Sequence, residues 1–430
     1  MSALEWGLLT IGLFGLLTST VFFGMVVEGV RRFRLEAVRQ DLCLAVQPRF
    51  LPAISLFKPL HGDEVGLESN LRTFFEQDYF QYVEHAVGSF EKSRAPQTEF
   101  LFCARNEADE GLAVARRVAA EYPEMTTRFV VSGEPWAANA KVCSLAAMAK
   151  AATHDLWVIS DSDVRVAPDY LRRIVLPFAD QNVGCVTCLY RGVVSKGGLW
   201  SRLEAVGMTI EMSSGICAAS LVEPVSFALG PTMVTRRACV EEIGGFESMA
   251  DYCADDFVLG NWIAGKGHKV VVSEHSIDHM VLHTNFLDSM KHQVRWMKST
   301  RFSRPSGHFG TVLTFGVPFG GIAWVAALLL GLPTLAWCAL LGSIIGRSLQ
   351  AWIVGKNVVR EQRLWVAMLL FPLRDVFGFA FWVLSYANNR IEWRGELYEL
   401  REGGKMMPAR KTSPNPSASD ATAKSHRSNI

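Results

Sequence analysis

The sequence predicts an α/β domain with a mostly parallel central sheet, set between membrane-spanning helices. Three observations predict it. Apolar runs of strand length alternate with helical patterns, ionisable residues follow directly on those runs, and the longest uncharged stretches lie toward the two ends of the chain. With 50% hydrophobic residues among 430 and a mean hydropathy of +0.17, the chain is too apolar to be disordered. Lys+Arg is 43 against Asp+Glu 42, a formal charge of +1, so no whole-molecule field gathers a polyanion and no nucleic-acid partner is expected.

From the N-terminus, Trp6–Val27 carries no charge and is long enough for the ~20 residues a helix needs to cross hydrocarbon. A cleaved signal peptide wants a basic head and a shorter apolar core, whereas this segment follows Met-Ser-Ala-Leu-Glu and is closed by Glu28, Arg31, Arg32, Arg34 and Arg39. It is expected to be a retained anchor. The arginines place the N-terminus outside and the following domain in the cytoplasm, of a bacterial inner membrane in preference to a eukaryotic endomembrane.

The soluble domain is expected over residues 50–285. Its apolar runs Ala53–Phe57, Phe100–Cys103, Arg128–Val131, Leu156–Ser160 and Gly184–Leu189 alternate with helical patterns at Leu67–Glu76, Gly111–Ala120, Val142–Ala151 and Asp169–Phe178. The nine cysteines form no paired framework, and Cys185 and Cys188 read as buried strand residues. Residues 286–304 read as an amphipathic interface helix, with Leu287, Met290, Val294 and Met297 at helical spacing and Lys291, Arg295 and Lys298 beside them.

Two to three further spans are expected within residues 311–387. Thr311–Gly346 is uncharged and too long for one upright span, and Pro333 divides it into spans near 311–331 and 333–354. Leu364–Ala387 is a third candidate, interrupted by Arg374 and Asp375, whose charges at membrane depth demand partners. Residues 404–430 read as a polar, disordered tail.

The chemistry lies where α/β sheets collect ligands, beyond the C-terminal ends of strands. No Walker loop and no G-x-G-x-x-G follows any run. Asp161-Ser162-Asp163 directly follows Leu156–Ser160, and alternation along an extended chain sends both carboxylates to one side. Two hard oxygen ligands in one crevice suit Mg²⁺ or Mn²⁺ shared with a substrate diphosphate, while a solvated turn is the bland reading. Asp255-Asp256 opens the helical pattern Val258–Ala264. Adjacent acids there either favour the helix dipole or raise each other's pKa, fitting one to take a proton from a hydroxyl. On the interface helix, Arg295 can fork onto a phosphate while Trp296 closes over it. His275, His279 and His283 recur at four-residue steps, but the strand-like Lys269–Ser273 before them argues against one shared metal site.

The order of these features carries a resemblance. An N-terminal anchor, Lys58-Pro-Leu-His-Gly62, Gln77-Asp-Tyr79, an Asp-x-Asp after a strand, Gly244-Gly-Phe246 before Asp255-Asp256, a basic-x-x-Arg-Trp helix and C-terminal spans together resemble the ceramide glucosyltransferase family, glycosyltransferase family 21-like, with the related bacterial hopanoid glycosyltransferases. The resemblance covers roughly residues 5 to 390. It implies a GT-A nucleotide-diphospho-sugar transferase domain on the cytoplasmic membrane face, a divalent metal, and inverting transfer of a hexose, glucose or N-acetylglucosamine, from a UDP-sugar to a lipid hydroxyl of ceramide or hopanoid type. It assigns Lys58 and Pro59 to the nucleotide pocket, with Asn139 and Lys141 on the nucleotide side. Asp109, with Glu107 as its rival, takes the first-aspartate position against the nucleotide. Asp161 and Asp163 hold metal and diphosphate, Asp256 is the general base, Arg295 and Trp296 hold the leaving diphosphate, and Gln293 beside them is a substrate- or nucleotide-binding residue. His292 stands where the family's closing motif has Gln or Arg, Glu64 where it has Asp, and residues from about His85 to Thr98 are extra sequence. Two alternatives compete: a processive polysaccharide synthase, which needs more spans than three, and an inactive membrane scaffold, which has no use for acids at successive strand ends.

Overall fold

The computed structural model describes residues 3–46, 50–81, 98–393 and 395–409. The eleven strands among the described residues, in chain order, are β1 (Ile54–Pro59), β2 (Thr98–Ala104), β3 (Thr126–Val131), β4 (Leu156–Ser160), β5 (Val164–Arg165), β6 (Val183–Val193), β7 (Thr232–Arg236), β8 (Lys269–Met280), β9 (Arg390–Trp393), β10 (Glu396–Leu400) and β11 (Met406–Pro408). The first eight form one sheet in the order β3-β2-β1-β4-β7-β6-β8-β5. All five expected strands are present, each within a few residues of its expected bounds.

The sheet is parallel through β3-β2-β1-β4 and again between β6 and β8, but β7 runs antiparallel to both neighbours and β5 antiparallel to β8. The α/β class therefore holds, with a mixed rather than uniformly parallel second half. The parallel half has a directional consequence. From β1 the chain steps outward to β2 and β3, then returns to place β4 on the other side of β1. That reversal opens a crevice beyond the C-terminal ends of β1 and β4, and those ends carry Lys58 and Asp161.

Two apolar layers pack the sheet. One is centred on Phe74, Phe100, Tyr170 and Phe178, the other on Phe57, Leu145, Trp157 and Phe246. Cys185 and Cys188 are buried free thiols of β6, as expected. Gln77-Asp-Tyr79 is a clamp: Gln77 donates to the Ala167 carbonyl at 2.9 Å and accepts from Leu171 N at 3.0 Å, Asp78 pairs with Arg172 at 2.5 Å, and Tyr79 is buried. Gly244 and Gly245 sit at φ 92° and 74°, conformations that side chains rarely adopt, which explains the glycine pair at this turn.

Three helices among the described residues are long and apolar enough to cross a membrane, or up to four if a pair bent by 49° is one span. The N-terminal helix runs Ala3–Val46, continuing well past the expected anchor at 6–27. The expected span near 311–331 is the bent pair, Pro305–Thr314 then Val317–Leu329, and Pro333–Asn357 follows. Leu364–Leu384 holds the two charges whose cost was in question. Both are paired. Asp375 bridges Arg347 at 3.0 Å and accepts from Gly316 N at 2.9 Å and Val317 N at 2.8 Å, capping the helix that starts at the bend, while Arg374 pairs with Glu211 at 2.9 Å.

The interface helix is Phe286–Ser303, and it buries Ser289, Gln293, Lys298 and Ser299 while leaving Leu287 exposed. Its polar face is thus turned inward, against the domain. Met208, Ile210 and Ile216 are core: Ile210 and Ile216 pack with Val26, Val30 and Val354. Part of the segment expected as a tail is a strand, since β11 pairs with β10, and β10 with β9, in a small sheet against Cys253. The remainder of that tail, and most of the extra sequence before β2, lie outside the described residues.

Candidate active site

The crevice is built from the strand ends inward. Lys58, near the end of β1, is fully buried over the Phe74 ring and donates to the Asp161 carbonyl at 2.8 Å and to Ser160 Oγ at 3.2 Å. Burial pushes its ammonium well below the usual lysine range, opposed by the nearby Asp161, Asp163 and Glu64 carboxylates. Lys58 thus lies under the acidic turn and fixes its backbone. Pro59 is half-buried at the end of β1, opposite Cys103 of β2.

Asp161 and Asp163 leave β4 in a turn whose ends are both fastened. The Asp163 carbonyl accepts from Met280 N at 2.9 Å, and Ser162 Oγ donates to Glu64 at 2.6 Å. Asp161 Oδ1 lies 2.6 Å from Lys141 Nζ, and Asp163 Oδ2 lies 3.0 Å from His279 Nε2. Burial opposes charge on Lys141, but Asp161, ahead of Asp255, outweighs it and holds the ammonium above its ordinary range. His279 is likewise raised: burial works against its charge, and Asp163 overcomes it.

Asp163 Oδ1 is buried and makes no hydrogen bond among the described residues. An idle carboxylate oxygen beside a second carboxylate, both already drawing cations, is the donor set that a hard divalent ion takes up. The residues fit a Mg²⁺- or Mn²⁺-class ion.

The second acidic pair opens the helix Asp255–Gly265. Asp255 accepts from Asn139 Nδ2 at 3.0 Å, and Asn139 also caps the helix Ala140–Ala151, accepting from Lys141 N at 3.1 Å and Val142 N at 3.3 Å. Among the described residues, Asp256 takes only backbone donors in its hydrogen bonds, Gly230 N at 2.8 Å and Phe257 N at 2.8 Å. Burial first, then the like charge of Asp255, pushes its carboxyl up to about 6. Gly230 joins the pairs, because its carbonyl accepts from Lys141 Nζ at 3.3 Å while its N–H donates to Asp256.

The structure therefore brings together Lys58, Asn139, Lys141, Asp161, Asp163 and Asp256. Arg295 approaches Asp256 from the interface helix, its guanidinium 4.9 Å from the Trp393 ring of β9, and burial lowers its pKa. Gln293, one residue after His292, instead donates to Ser289 Oγ at 3.0 Å. Trp296 is partly buried with its ring 4.4 Å from that of His292. Asp109 caps the helix Glu110–Ala119 and accepts from Gly62 N at 3.1 Å, which ties it to the loop after β1; its rival Glu107 pairs with Arg116.

Several residues escaped the sequence reading. Tyr190 of β6 is buried among Asp256, Asp163 and Asp161, with its ring 5.3 Å from that of His279. The three histidines diverge: His279 meets Asp163, His275 lies 3.9 Å from Asp169, and His283 lies 3.1 Å from Glu204. The alternation of β8 could have sent His275 and His279 to one face, but nothing local pointed to their separate partners.

With the geometry in hand, comparison with known proteins adds ancestry. The model of the family described as "Glycosyl transferase family 21" matches residues 16–406. Ceramide glucosyltransferase 1 of Caenorhabditis elegans is 22% identical over 381 residues, covering 86% of this chain and 76% of the relative. Ceramide glucosyltransferase 3 of the same organism is 21% identical, covering 83% and 75%. Among solved structures, a mannosyltransferase from Pyrobaculum calidifontis in complex with GDP-Man and Mn²⁺ is 18% identical and covers 85% of this chain and 98% of its own, at a TM-score of 0.46.

Proposed function

The chain belongs to glycosyl transferase family 21 and is a glycosyltransferase, and from that premise we propose that its domain is of GT-A type and that it moves a hexose, glucose before N-acetylglucosamine, from a UDP-sugar to the hydroxyl of a ceramide-type lipid with inversion at the anomeric carbon. The observation that carries this reading is the division between the two acid pairs. Asp161 and Asp163 are surrounded by cations and offer an idle oxygen, whereas Asp256 is buried on backbone donors with its carboxyl raised to about 6. That separates a diphosphate-holding site from a proton-accepting one.

In this mechanism Asp161 and Asp163 would hold a divalent ion, Mg²⁺ or Mn²⁺, which would supply Lewis-acid neutralisation of the diphosphate. Lys58 keeps the turn that carries the two aspartates in place, and Lys141 orients Asp161. Asp256 takes the proton from the acceptor hydroxyl as its oxygen attacks the anomeric carbon. The sugar–phosphate bond breaks on the opposite side, and the electrons leave with UDP. Arg295 neutralises the departing diphosphate while Trp296 shields it from water. One displacement with one base gives inversion. Asn139 keeps Asp255 and the Lys141 helix in register, so the acid pairs hold their spacing.

The membrane arrangement supports a lipid acceptor. The interface helix that carries Arg295 leads directly into the bent helix pair, so a lipid entering along the bilayer surface reaches the crevice while the nucleotide arrives from water. The basic stretch after residue 30 supports an integral membrane protein with this domain on the cytoplasmic face.

A transfer assay on the purified chain in nanodiscs tests the reading, with UDP-glucose and UDP-N-acetylglucosamine each offered against ceramide and a hopanoid polyol, with and without EDTA. EDTA-sensitive glucosylceramide is the expected product. A hopanoid product instead would reassign the acceptor, and absence of lipid product together with absence of UDP release from folded protein would overturn the proposal.

A further inference from the structure

We propose that Glu204, His283 and His292 form a second metal site, of the kind that takes zinc, separate from the Asp161–Asp163 pair. The three residues come from distant parts of the chain. Glu204 lies in the helix Leu199–Val206, His283 in the loop after β8, and His292 on the interface helix. Their candidate ligand atoms nevertheless lie within 4.8 Å of one another. Both imidazoles present the same atom, Nδ1, to the same oxygen: His283 at 3.1 Å and His292 at 2.8 Å from Glu204 Oε1. The rings are 4.3 Å apart between centroids, so both nitrogens face one small volume.

Tetrahedral zinc bonds of about 2.0–2.1 Å to nitrogen and oxygen set neighbouring ligand atoms about 3.3 Å apart, and the histidine nitrogens at 3.1 and 2.8 Å from Glu204 Oε1 need move apart by only a few tenths of an ångström to admit the ion. The second oxygen of Glu204 gives independent support. The residue is 2% exposed, and its Oε2 makes no hydrogen bond among the described residues. A buried carboxylate ordinarily satisfies both oxygens, and one left idle beside two imidazole nitrogens is suited to a cation.

The ligand types separate this site from the first. Two imidazoles and one carboxylate suit zinc, and cobalt as its spectroscopic substitute, while the carboxylates at Asp161 and Asp163 suit magnesium or manganese. Three protein ligands leave a position for water. The consequence is mechanical: a bound ion clamps the interface helix to the helix Leu199–Val206 and to the end of β8. His292 stands three residues before Arg295, with its ring against Trp296. The residue that replaces the usual Gln or Arg of the closing motif thus acts here as a positioning residue.

The test uses the full chain in nanodiscs, stripped with a chelator and dialysed against micromolar Zn²⁺ in millimolar Mg²⁺, with bound zinc measured by mass spectrometry. One equivalent per chain is expected. It should fall to near zero in Glu204→Gln and in His283→Ala with His292→Ala, and persist in Asp161→Ala with Asp163→Ala. Glu204→Gln keeps the side-chain volume, and a metal-free thermal melt matching wild type shows that it folds. Cobalt added to the stripped wild-type chain should give visible absorption bands of nitrogen and oxygen ligation at low coordination number. Zinc should also slow amide exchange across 283–303. Folded protein that binds no zinc, that keeps zinc in the histidine variant, or that loses it only in the aspartate variant would overturn the proposal.

Discussion

Asp161 with Asp163 and Asp255 with Asp256 are the same chemistry placed in two surroundings. The first pair leaves a strand end and meets Lys141 at 2.6 Å and His279 at 3.0 Å, with Lys58 beneath its backbone. The second opens a helix, where Asp255 is occupied by Asn139 and Asp256 by two backbone N–H groups. Residue type does not distinguish the pairs, but direct pairing with a cation does. Asp161 and Asp163 each pair directly with a cation, and although burial raises Asp161 as well, Lys141 opposes it and the pair is suited to hold charge. Lys141 and Arg295 act on Asp256 only from farther off, so burial and the like charge of Asp255 raise its carboxyl to about 6 and suit it to exchange a proton.

The largest expected effect comes from breaking the first pair. Asp161→Ala or Asp163→Ala should abolish transfer and weaken UDP binding in the presence of Mn²⁺, measured by radiolabelled product and by calorimetry. Breaking the second should separate these two readouts. Asp256→Asn should reduce turnover by about 10²–10⁴-fold, the range of a lost general base, with UDP affinity nearly intact. Near-normal turnover in that variant would remove Asp256 from the role.

The pH profile sharpens the comparison further. A base must be ionised to work, so kcat/KM should rise with pH through about 6 as Asp256 loses its proton, and fall away below. Asp255→Asn removes the like charge that helps raise Asp256, so the acid limb should move to lower pH, by up to about one unit. An unchanged limb would assign the titration to another group. The smallest effect is expected at Gly230, between the pairs. A Cβ there would lie 3.2 Å from Asp256 Oδ2 and 3.7 Å from Lys141 Nζ, so Gly230→Ala should slow transfer several-fold through a displaced base without changing thermal stability greatly.

The sequence revealed the two pairs for a physical reason. A buried strand is a short apolar run, and the residue that ends it must turn toward solvent, so Asp161 and Asp163 are marked by position alone. The same holds for the helix start at Asp255. What surrounds them is set by packing between segments far apart in sequence. Nothing near residue 204 announces His283 and His292, and nothing near residue 163 announces His279. The reversal of β7 was equally hidden, because a buried strand reads the same in either direction. In the membrane helices the local pattern posed a question that only the fold answers: Arg374 and Asp375 look costly until Glu211, Arg347 and the exposed amides at Gly316 and Val317 are brought to them. The small sheet β9–β11 was missed because its strands are only three to five residues long.

The most direct test of the division of labour is one binding experiment, calorimetric titration of UDP in Mn²⁺ into wild type, Asp163→Ala and Asp256→Asn, each in nanodiscs and each also assayed for turnover. The account predicts that Asp163→Ala loses both binding and turnover, and that Asp256→Asn binds as wild type does while turning over at background. Equal loss of UDP affinity in the two variants would contradict it, because the acid pairs would then be one site with one role.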